Sequence, residues 1–472
     1  MEPDLPVLGE KGVPVSEEVH QKSPASTSID YSGVDEKALV RRMDLRILPM
    51  IVILYIFAFI DRVNIGNAQL FSLSKDLKLT GLQYNIALCM FFVSYVTFEI
   101  PANILMKKVK PHIFMSGCAL FFGFLVIMEG LVSNFAGLAV LRFLLGAAEA
   151  GIFPGCFYLL SMWYKRSEAQ KRFSFFTNAS TLGGAFGGLL ATGIGHMNGV
   201  RGWHAWRWIF ILEGLATVLI AVIAYFFIAD FPEDAKWLSE AERAFVVNKL
   251  KEDQGNSDPH QPITLKGVLK SLSDLKLIVA GFIYFGPTMA GYGLAYFIPT
   301  IVNSYGYSPI ESQLYSIPPW AAALGFSMIC AFVSDKTQRR FPFLVFGFLI
   351  AIASVVVLDQ VHNKRSTRYA ALCLFTMSVF GTLPVIICWF VMNQEGHLNR
   401  IVGSAWQIGF GNIGGIIAVF SFPAKDRPFY HLGYRLSIGM ICMSLAASVL
   451  YLVLCMLENK KRARDGRRKL VL

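Results

Sequence analysis

Two ionisable residues lie inside an apolar stretch that is long enough to cross a lipid bilayer. Arg142 and Glu149 occur within the run from Gly137 to Trp163. A charge at the bilayer centre costs about 2.5–3.5 kcal/mol on insertion scales, so such residues commonly mark the path of an ion or a substrate. Seven residues apart, they share one helix face at a separation of about 10.5 Å, which is too far for a direct ion pair. Each side chain therefore needs another partner.

The first apolar run, Ile47–Ala68, also carries an acid and a base, at Asp61 and Arg62. We hypothesise a central cavity in which Asp61 and Glu149 take up protons while Arg62 and Arg142 attract an anion. Two alternatives remain open at this stage. The charges of the fourth span could form an ion-pair ladder that only joins helices, and Asp61 with Arg62 could lie beyond the membrane at the end of a shortened span.

The composition is that of a polytopic membrane protein. Of the 472 residues, 54% are hydrophobic and only 16% are charged, and the mean hydropathy is +0.51, well above the values of soluble proteins. The sequence predicts an all-α integral membrane protein with twelve transmembrane helices in two six-helix bundles. We place these helices near residues 46–68, 83–106, 111–132, 137–162, 173–195, 206–229, 276–302, 312–334, 341–361, 369–392, 401–422 and 433–457.

Polar segments divide the chain into five parts. The predicted parts are a disordered cytoplasmic tail (1–43), the N-terminal bundle (44–230), a cytoplasmic linker (231–274), the C-terminal bundle (275–459) and a basic cytoplasmic tail (460–472). Lys and Arg concentrate beside the helix ends on one side, which predicts that both termini of this multi-pass protein are cytoplasmic. We expect the membrane to be the plasma membrane. Lys364, Arg365 and Arg368 run against this rule. With basic residues so placed, the net charge of +11 does not indicate a nucleic-acid partner.

No catalytic or cofactor-binding motif stands out. The eight cysteines lie in apolar runs without CxxC spacing, and HExxH, GxSxG and P-loop patterns are missing from the sequence, so we expect neither an enzyme nor a metal or cofactor. Glycines recur at matching places in the two halves, which indicates a duplicated bundle with closely packed helices. They are Gly183, Gly184, Gly187 and Gly188 in the fifth span, and Gly409, Gly411, Gly414 and Gly415 in the eleventh.

Twelve spans in two halves with a central linker resemble the major facilitator superfamily. The segment Gly325–Arg340 (GFSMICAFVSDKTQRR) is similar to the cytoplasmic loop signature of that superfamily. The resemblance implies that Asp335, Arg339 and Arg340 form a conformational latch whose charge pairs break between two states. The matching junction of the first half has Asn103 and lysines but no Asp.

Within the superfamily, the chain resembles the organic anion:cation symporters, and most closely fungal allantoate, nicotinate and pantothenate permeases. The similar pieces are MDLRILPMIVILYIFAFIDRVNIGNA, Glu99-Ile-Pro101 and the spacing from Arg142 to Gly155. The resemblance implies that Asp61 and Glu149 are protonatable, that Arg62 contacts the substrate carboxylate and that Arg142 interacts with Glu149. The segment GGAFGG lacks the proline of drug exporters, which argues against drug efflux.

Further polar and aromatic residues could line the substrate pocket or serve only to join helices. Those predicted to bind substrate are Asn178, Tyr292, Tyr296, Trp389, Asn393 and Asn412. We expect Glu99 to be structural and Glu213 to pair with an arginine such as Arg207.

The sequence thus predicts a proton-coupled symporter that imports a small organic carboxylate by alternating access. Its expected partners are the organic anion, protons and the lipid bilayer, and the chain is expected to be monomeric. An exporter or exchanger of organic anions and a non-transporting nutrient sensor of the same fold remain alternatives. Nicotinate, allantoate and pantothenate fit the predicted site equally well.

Overall fold

The fold is described from a computed structural model that covers residues 34–254, 271–337, 339–394, 397–464 and 470–471. Much of each predicted tail and part of the linker lie outside these residues. The described part of the N-terminal half contains ten α-helices, α1 to α10 in chain order. They are Glu36–Gln69, Leu73–Asp76, Gln83–Lys108, Pro111–Glu129, Phe135–Glu149, Ile152–Trp163, Arg166–Thr177, Ala179–Gly195, Ala205–Phe227 and Glu240–Gln254.

The C-terminal half contains seven described α-helices, α11 to α17. They are Leu275–Asn303, Pro309–Leu314, Ile317–Thr337, Phe341–Gln360, Arg365–Met392, His397–Ser421 and His431–Arg464. Local sequence signals account for several of the helix starts. Asp35 caps α1, Asn134 caps α5 and Asp274 caps α11, each accepting a hydrogen bond from a backbone N–H of the first turn.

Twelve membrane crossings follow from these helices. In the described part of the chain, eleven helical segments are long and apolar enough to span a bilayer. The fifth crossing is α8, a 17-residue helix that follows α7 at Asn178. The fourth predicted span is two helices, α5 and α6, interrupted at Ala150 and Gly151. Pro154 has no N–H for the carbonyl of Ala150, which removes a helical hydrogen bond there.

The two halves repeat the same helix packing. In the first half α1 packs on α8 and α9, α3 on α5, and α4 on α9; in the second α11 packs on α16 and α17, α13 on α15, and α14 on α17. The halves meet along α1 with α11, α3 with α16, and α8 with α13. Glycine permits two of these approaches, because a Cβ on Gly184 would overlap Trp320 and one on Gly415 would overlap Phe92.

The linker helix α10 lies against the first half. We call the side of the protein that carries α10 the linker side. Lys249 is 7% exposed and its Nζ lies 2.8 Å from Glu36 Oε1 of α1 and 2.7 Å from Glu168 Oε1 of α7. Partial burial raises the pKa of Glu242, but the Ser239 backbone N–H and the Arg42 guanidinium together lower the pKa by more than burial raises it. The pKa of Glu242 therefore lies below its ordinary value. These ion pairs fix α10 to the ends of α1 and α7.

Candidate functional site

Arg62 lies at the junction of the two halves. Its side chain is 3% exposed, and its Nε donates a 3.0 Å hydrogen bond to Oε1 of Glu149, which Nη2 also contacts. On its other side, Nη1 donates to the hydroxyl of Tyr292 at 2.9 Å. That hydroxyl in turn donates to Asn412 Oδ1 at 2.8 Å. A continuous chain of hydrogen bonds therefore runs from Glu149 in the first half to Asn412 in the second.

Aromatic rings surround the Arg62 guanidinium. Its Cζ lies 5.2 Å from the ring centroid of Phe91, 5.1 Å from that of Tyr95 and 5.9 Å from that of Tyr292. At such distances the negative faces of aromatic rings attract a cation, by about 2 kcal/mol or more when the cation is desolvated. These three rings thus hold the Arg62 guanidinium in place without neutralising its charge, so a carboxylate can still pair with Arg62.

A cavity lies between the halves with Arg62 in its wall. It has about 570 Å³ of space not filled by atoms, including its open mouth. Thr177, Ser180 and Thr288 supply aliphatic hydroxyls. Most of the remaining wall is aromatic, formed by Tyr55, Phe59, Phe153, Tyr284, Tyr292 and Phe380. A mostly apolar wall with a few polar groups is typical of small-molecule sites.

The cavity is closed on the side opposite the linker. There, Gln313 of the second half donates to the backbone oxygen of Asn67 at 3.2 Å. Asn85 of α3 likewise donates to the backbone oxygen of Val419 in α16. Since the wall also includes Ile387, near the linker-side end of α15, the cavity extends from Arg62 toward the linker side.

Arg142 has a different partner from the one that the resemblance implied. Its Nη2 lies 2.8 Å from Glu129 Oε2, with both side chains fully buried, and its Nη1 donates to the backbone oxygen of Arg62 at 3.1 Å. Glu149 pairs with Arg62 instead. Glu129, the last residue of α4, was missed from the sequence, although an acid within a predicted span was the available signal.

Asp61 does not face the cavity that Arg62 lines. Consecutive helix residues point about 100° apart, so Arg62 faces the second half while Asp61 faces α9, where it accepts a 2.7 Å hydrogen bond from Thr217 Oγ1. Glu213 acts on Asp61 electrostatically, whereas its predicted partner Arg207 pairs with Asp76. The four charges of the hypothesis thus lie in two adjoining environments rather than in one chamber.

The other predicted pocket residues divide between the cavity and the helix contacts. Asn412 and Tyr292 belong to the Arg62 chain, and Tyr296 is buried with its ring 6.0 Å from that of Phe92. Asn178 donates to Met328 Sδ at 3.7 Å, which joins α8 to α13 across the halves.

Trp389 and Asn393 bind the end of the chain. Trp389 Nε1 donates to the backbone oxygen of Val471 at 3.0 Å, and Asn393 both donates to that oxygen at 2.9 Å and accepts from the Val471 N–H at 2.8 Å. Asn459 exchanges the same pair of hydrogen bonds with the Leu470 backbone. The structure therefore places Trp389 and Asn393 at a backbone docking site on the linker side, away from Arg62.

The predicted latch residues lie at the linker-side end of α13 and the start of α14. Arg339 is exposed, whereas Arg340 is buried and donates to Ser334 Oγ and to Met392 Sδ. The side chain of Asp335 lies outside the described residues. Arg340 thus joins α13 to the end of α15 within the second half.

Comparisons with known proteins agree with this architecture. The chain is 30% identical to the MFS-type transporter cnsO of Penicillium expansum, over 92% of this chain and 86% of that protein. It is 29% identical to the high-affinity nicotinic acid transporter of Saccharomyces cerevisiae, over 95% of this chain and 84% of the relative.

A solved structure of similar fold is a bacterial homolog of the human lysosomal transporter Spinster, in an inward-facing and occupied conformation. It matches with a TM-score of 0.62 at 15% identity, covering 87% of this chain and 96% of its own. These findings confirm the predicted all-α membrane fold. The model of the Major Facilitator Superfamily matches residues 51–419, and the chain belongs to this superfamily of membrane transporters.

Proposed function

We propose that the protein is a proton-coupled symporter that imports a small organic carboxylate by alternating access. The observation that carries the proposal is the position of Arg62. It is a buried cation in the wall of the cavity between the halves, held by Glu149 on one side and by Tyr292 on the other. A carboxylate entering the cavity meets a cation whose present counter-ion is itself protonatable.

Competition for Arg62 supplies the coupling. While Glu149 is ionised it occupies the Nε and Nη2 donors of Arg62, which are the paired donors that a carboxylate substrate would use. Protonation of Glu149 removes its negative charge and frees these donors. The site then holds one cation and one anion both before and after loading, so neither state buries an unpaired charge. One proton enters with each anion.

The same contacts connect binding with the movement of the halves. Tyr292 and Asn412 belong to the second half, and hydrogen bonds connect them to Arg62 of the first half. An anion paired with Arg62 therefore lies beside the hydrogen bond from Nη1 to Tyr292 that joins the halves. Alternating access in transporters of this kind is largely a rocking of one bundle against the other around a fixed site.

The cavity wall favours an anion with a flat or apolar body. Six aromatic residues line the space beside Arg62, and aromatic rings pack well against planar ligands. The relative named as a high-affinity nicotinic acid transporter supports an aromatic carboxylate as the first substrate to test. Asp61 remains the second proposed proton-binding residue, next to Arg62 in the chain but on another face of α1.

Uptake into proteoliposomes tests the proposal. Purified full-length protein should accumulate radiolabelled nicotinate when the lumen is alkaline, by about tenfold for each pH unit if one proton accompanies each anion. Nicotinamide, which has the same ring but no carboxylate, is the matched control and should not accumulate. Equal transport of the acid and the amide would refute a carboxylate site. Accumulation only into an acidic lumen would identify an anion exchanger or exporter instead.

A further inference from the structure

Four buried polar side chains meet between α1 and α9, on a face of α1 that the anion cavity does not use. Asp61 and Asn64 are three residues apart on α1, and Glu213 and Thr217 are four apart on α9, so each pair shares one face of its helix. All four are at most 2% exposed. The cluster lies inside the N-terminal half, where α1 packs on α9.

Most of the polar atoms in this cluster lack a partner. Thr217 Oγ1 donates to Asp61 Oδ2 at 2.7 Å, and Glu213 interacts with both Asp61 and Asn64. Among the residues that the structure describes, Asp61 Oδ1, both carboxyl oxygens of Glu213 and both amide atoms of Asn64 make no well-aligned hydrogen bond, and the Asn64 amide acts on the Glu213 carboxyl only as a weaker hydrogen-bonding group. A buried polar group without a good partner costs about 1–3 kcal/mol, so a donor shared among these atoms would stabilise the cluster.

The count of donors and acceptors shows what is needed. The unpartnered atoms comprise four oxygens, which accept hydrogen bonds, and one amide NH₂ group, which donates. The missing component must therefore donate hydrogen bonds or carry positive charge. A fully ionised cluster would instead place two negative charges side by side in the protein interior, where each is expensive to bury.

The surrounding charges do not supply that component. The groups that act on Asp61 from the packed helices include Glu129 of α4 and both Arg142 and Glu149 of α5. Arg142 is already ion-paired with Glu129, and Glu149 is ion-paired with Arg62. The two nearby cations thus each have a carboxylate of their own, which leaves the carboxyls of Asp61 and Glu213 to be neutralised in another way.

We propose that this cluster is a proton-binding site, separate from the anion cavity, in which Glu213 and Asp61 share a proton. A proton on one carboxyl donates to the unpartnered oxygen of the other, and the Asn64 amide donates to a remaining oxygen. This deepens the proposed function, since it names Glu213 as the residue that holds a proton together with Asp61. A monovalent metal ion is the competing occupant. Within the described residues, no group of three or more acidic, His or Cys side chains could hold a metal.

Infrared spectroscopy of the full-length protein in lipid nanodiscs tests this site without any substrate, so its result does not depend on whether nicotinate is transported. A protonated buried carboxyl gives a C=O stretching band that an ionised one lacks. At neutral pH, Glu213→Gln should remove a band that the wild-type protein shows. Glu240→Gln, the same change at an exposed residue of α10, should leave this C=O band unaltered.

Two further measurements keep the proposal falsifiable if Glu213→Gln folds poorly. Thr217→Val removes the donor to Asp61 Oδ2 and should shift the frequency of the band without removing it. Replacing choline by sodium in the buffer should change nothing. An unchanged spectrum in both the Glu213 and the Thr217 variants would overturn the proposal, and loss of the band on adding sodium would assign the cluster to a metal ion.

Discussion

The substitution Glu149→Gln separates anion binding from proton binding at the same arginine. Glutamine keeps the size of the side chain and one carbonyl oxygen that can accept a hydrogen bond from Arg62 Nε. Unlike glutamate, it carries no charge and does not take up a proton. Arg62 is buried and ion-paired with Glu149. Losing one partner of a buried ion pair costs about 3–5 kcal/mol, because the other charge stays uncompensated. A bound carboxylate can restore that compensation.

The size of the effect on binding follows from the one-for-one exchange at Arg62. At any pH at which Glu149 is ionised in the free wild-type protein, binding of each anion requires that Glu149 take up one proton. The affinity for nicotinate should then fall tenfold for each unit by which the pH rises, which corresponds to about 1.4 kcal/mol of binding free energy. Across about two pH units in which the inner cluster keeps its proton, the wild-type affinity changes by about 100-fold, whereas that of Glu149→Gln should stay constant. Nicotinate should also raise the melting temperature of the variant more than that of the wild type.

Equilibrium binding of radiolabelled nicotinate to protein in nanodiscs, at a series of pH values, measures this slope. Glu240→Gln is the control, since it removes the same carboxylate from an exposed position on α10 and should keep the wild-type slope. In proteoliposomes, Glu149→Gln should exchange labelled for unlabelled nicotinate but lose accumulation driven by pH. An undiminished pH slope in Glu149→Gln would refute the competition at Arg62.

Two other predictions concern the contacts around the site. Gly184→Ala introduces a methyl group that overlaps Trp320 of the second half, whereas the same change at Gly193, also on α8, meets nothing within 4 Å. Gly184→Ala should therefore separate the halves on the side opposite the linker and increase the labelling of cysteines on that side. Equal labelling of the Gly184 and Gly193 variants would contradict this packing. Asn393→Ala removes two hydrogen bonds to the Val471 backbone, each worth about 1 kcal/mol. The melting temperature of the protein should therefore fall, while its affinity for nicotinate stays unchanged. A loss of affinity without a loss of stability would instead place Asn393 in the substrate site.

The charged residues of the site were predictable from the sequence, but their pairing was not. An ionised residue inside an apolar span is conspicuous, and the seven-residue spacing of Arg142 and Glu149 correctly required a further partner for each. Which partner each one meets depends on how far α1, α4 and α5 are rotated about their axes. The sequence does not state these rotations, and the result is that Glu149 meets Arg62 while Arg142 meets Glu129.

The division of the charges into two environments was in principle predictable. Adjacent residues on a helix point in different directions, so the side chains of Asp61 and Arg62 had to contact different helices. The matching signal on α9 was the pair Glu213 and Thr217, four residues apart on one face. The docking of Leu470 and Val471 onto α15 and α17 had no local signal, because it joins segments that are far apart in the chain and is determined only by the folded structure.

The position of Arg62 explains how the two environments can influence each other. Its side chain pairs with Glu149, and its backbone oxygen accepts a hydrogen bond from Arg142, which is ion-paired with Glu129. Asp61 precedes it in the chain and faces α9. A movement of α1 that releases Arg62 from Glu149 must therefore also displace Asp61 relative to Thr217. In the proposed mechanism, binding of the anion and protonation of the inner cluster are linked through α1, and in such a linkage each event changes the affinity for the other by the same factor.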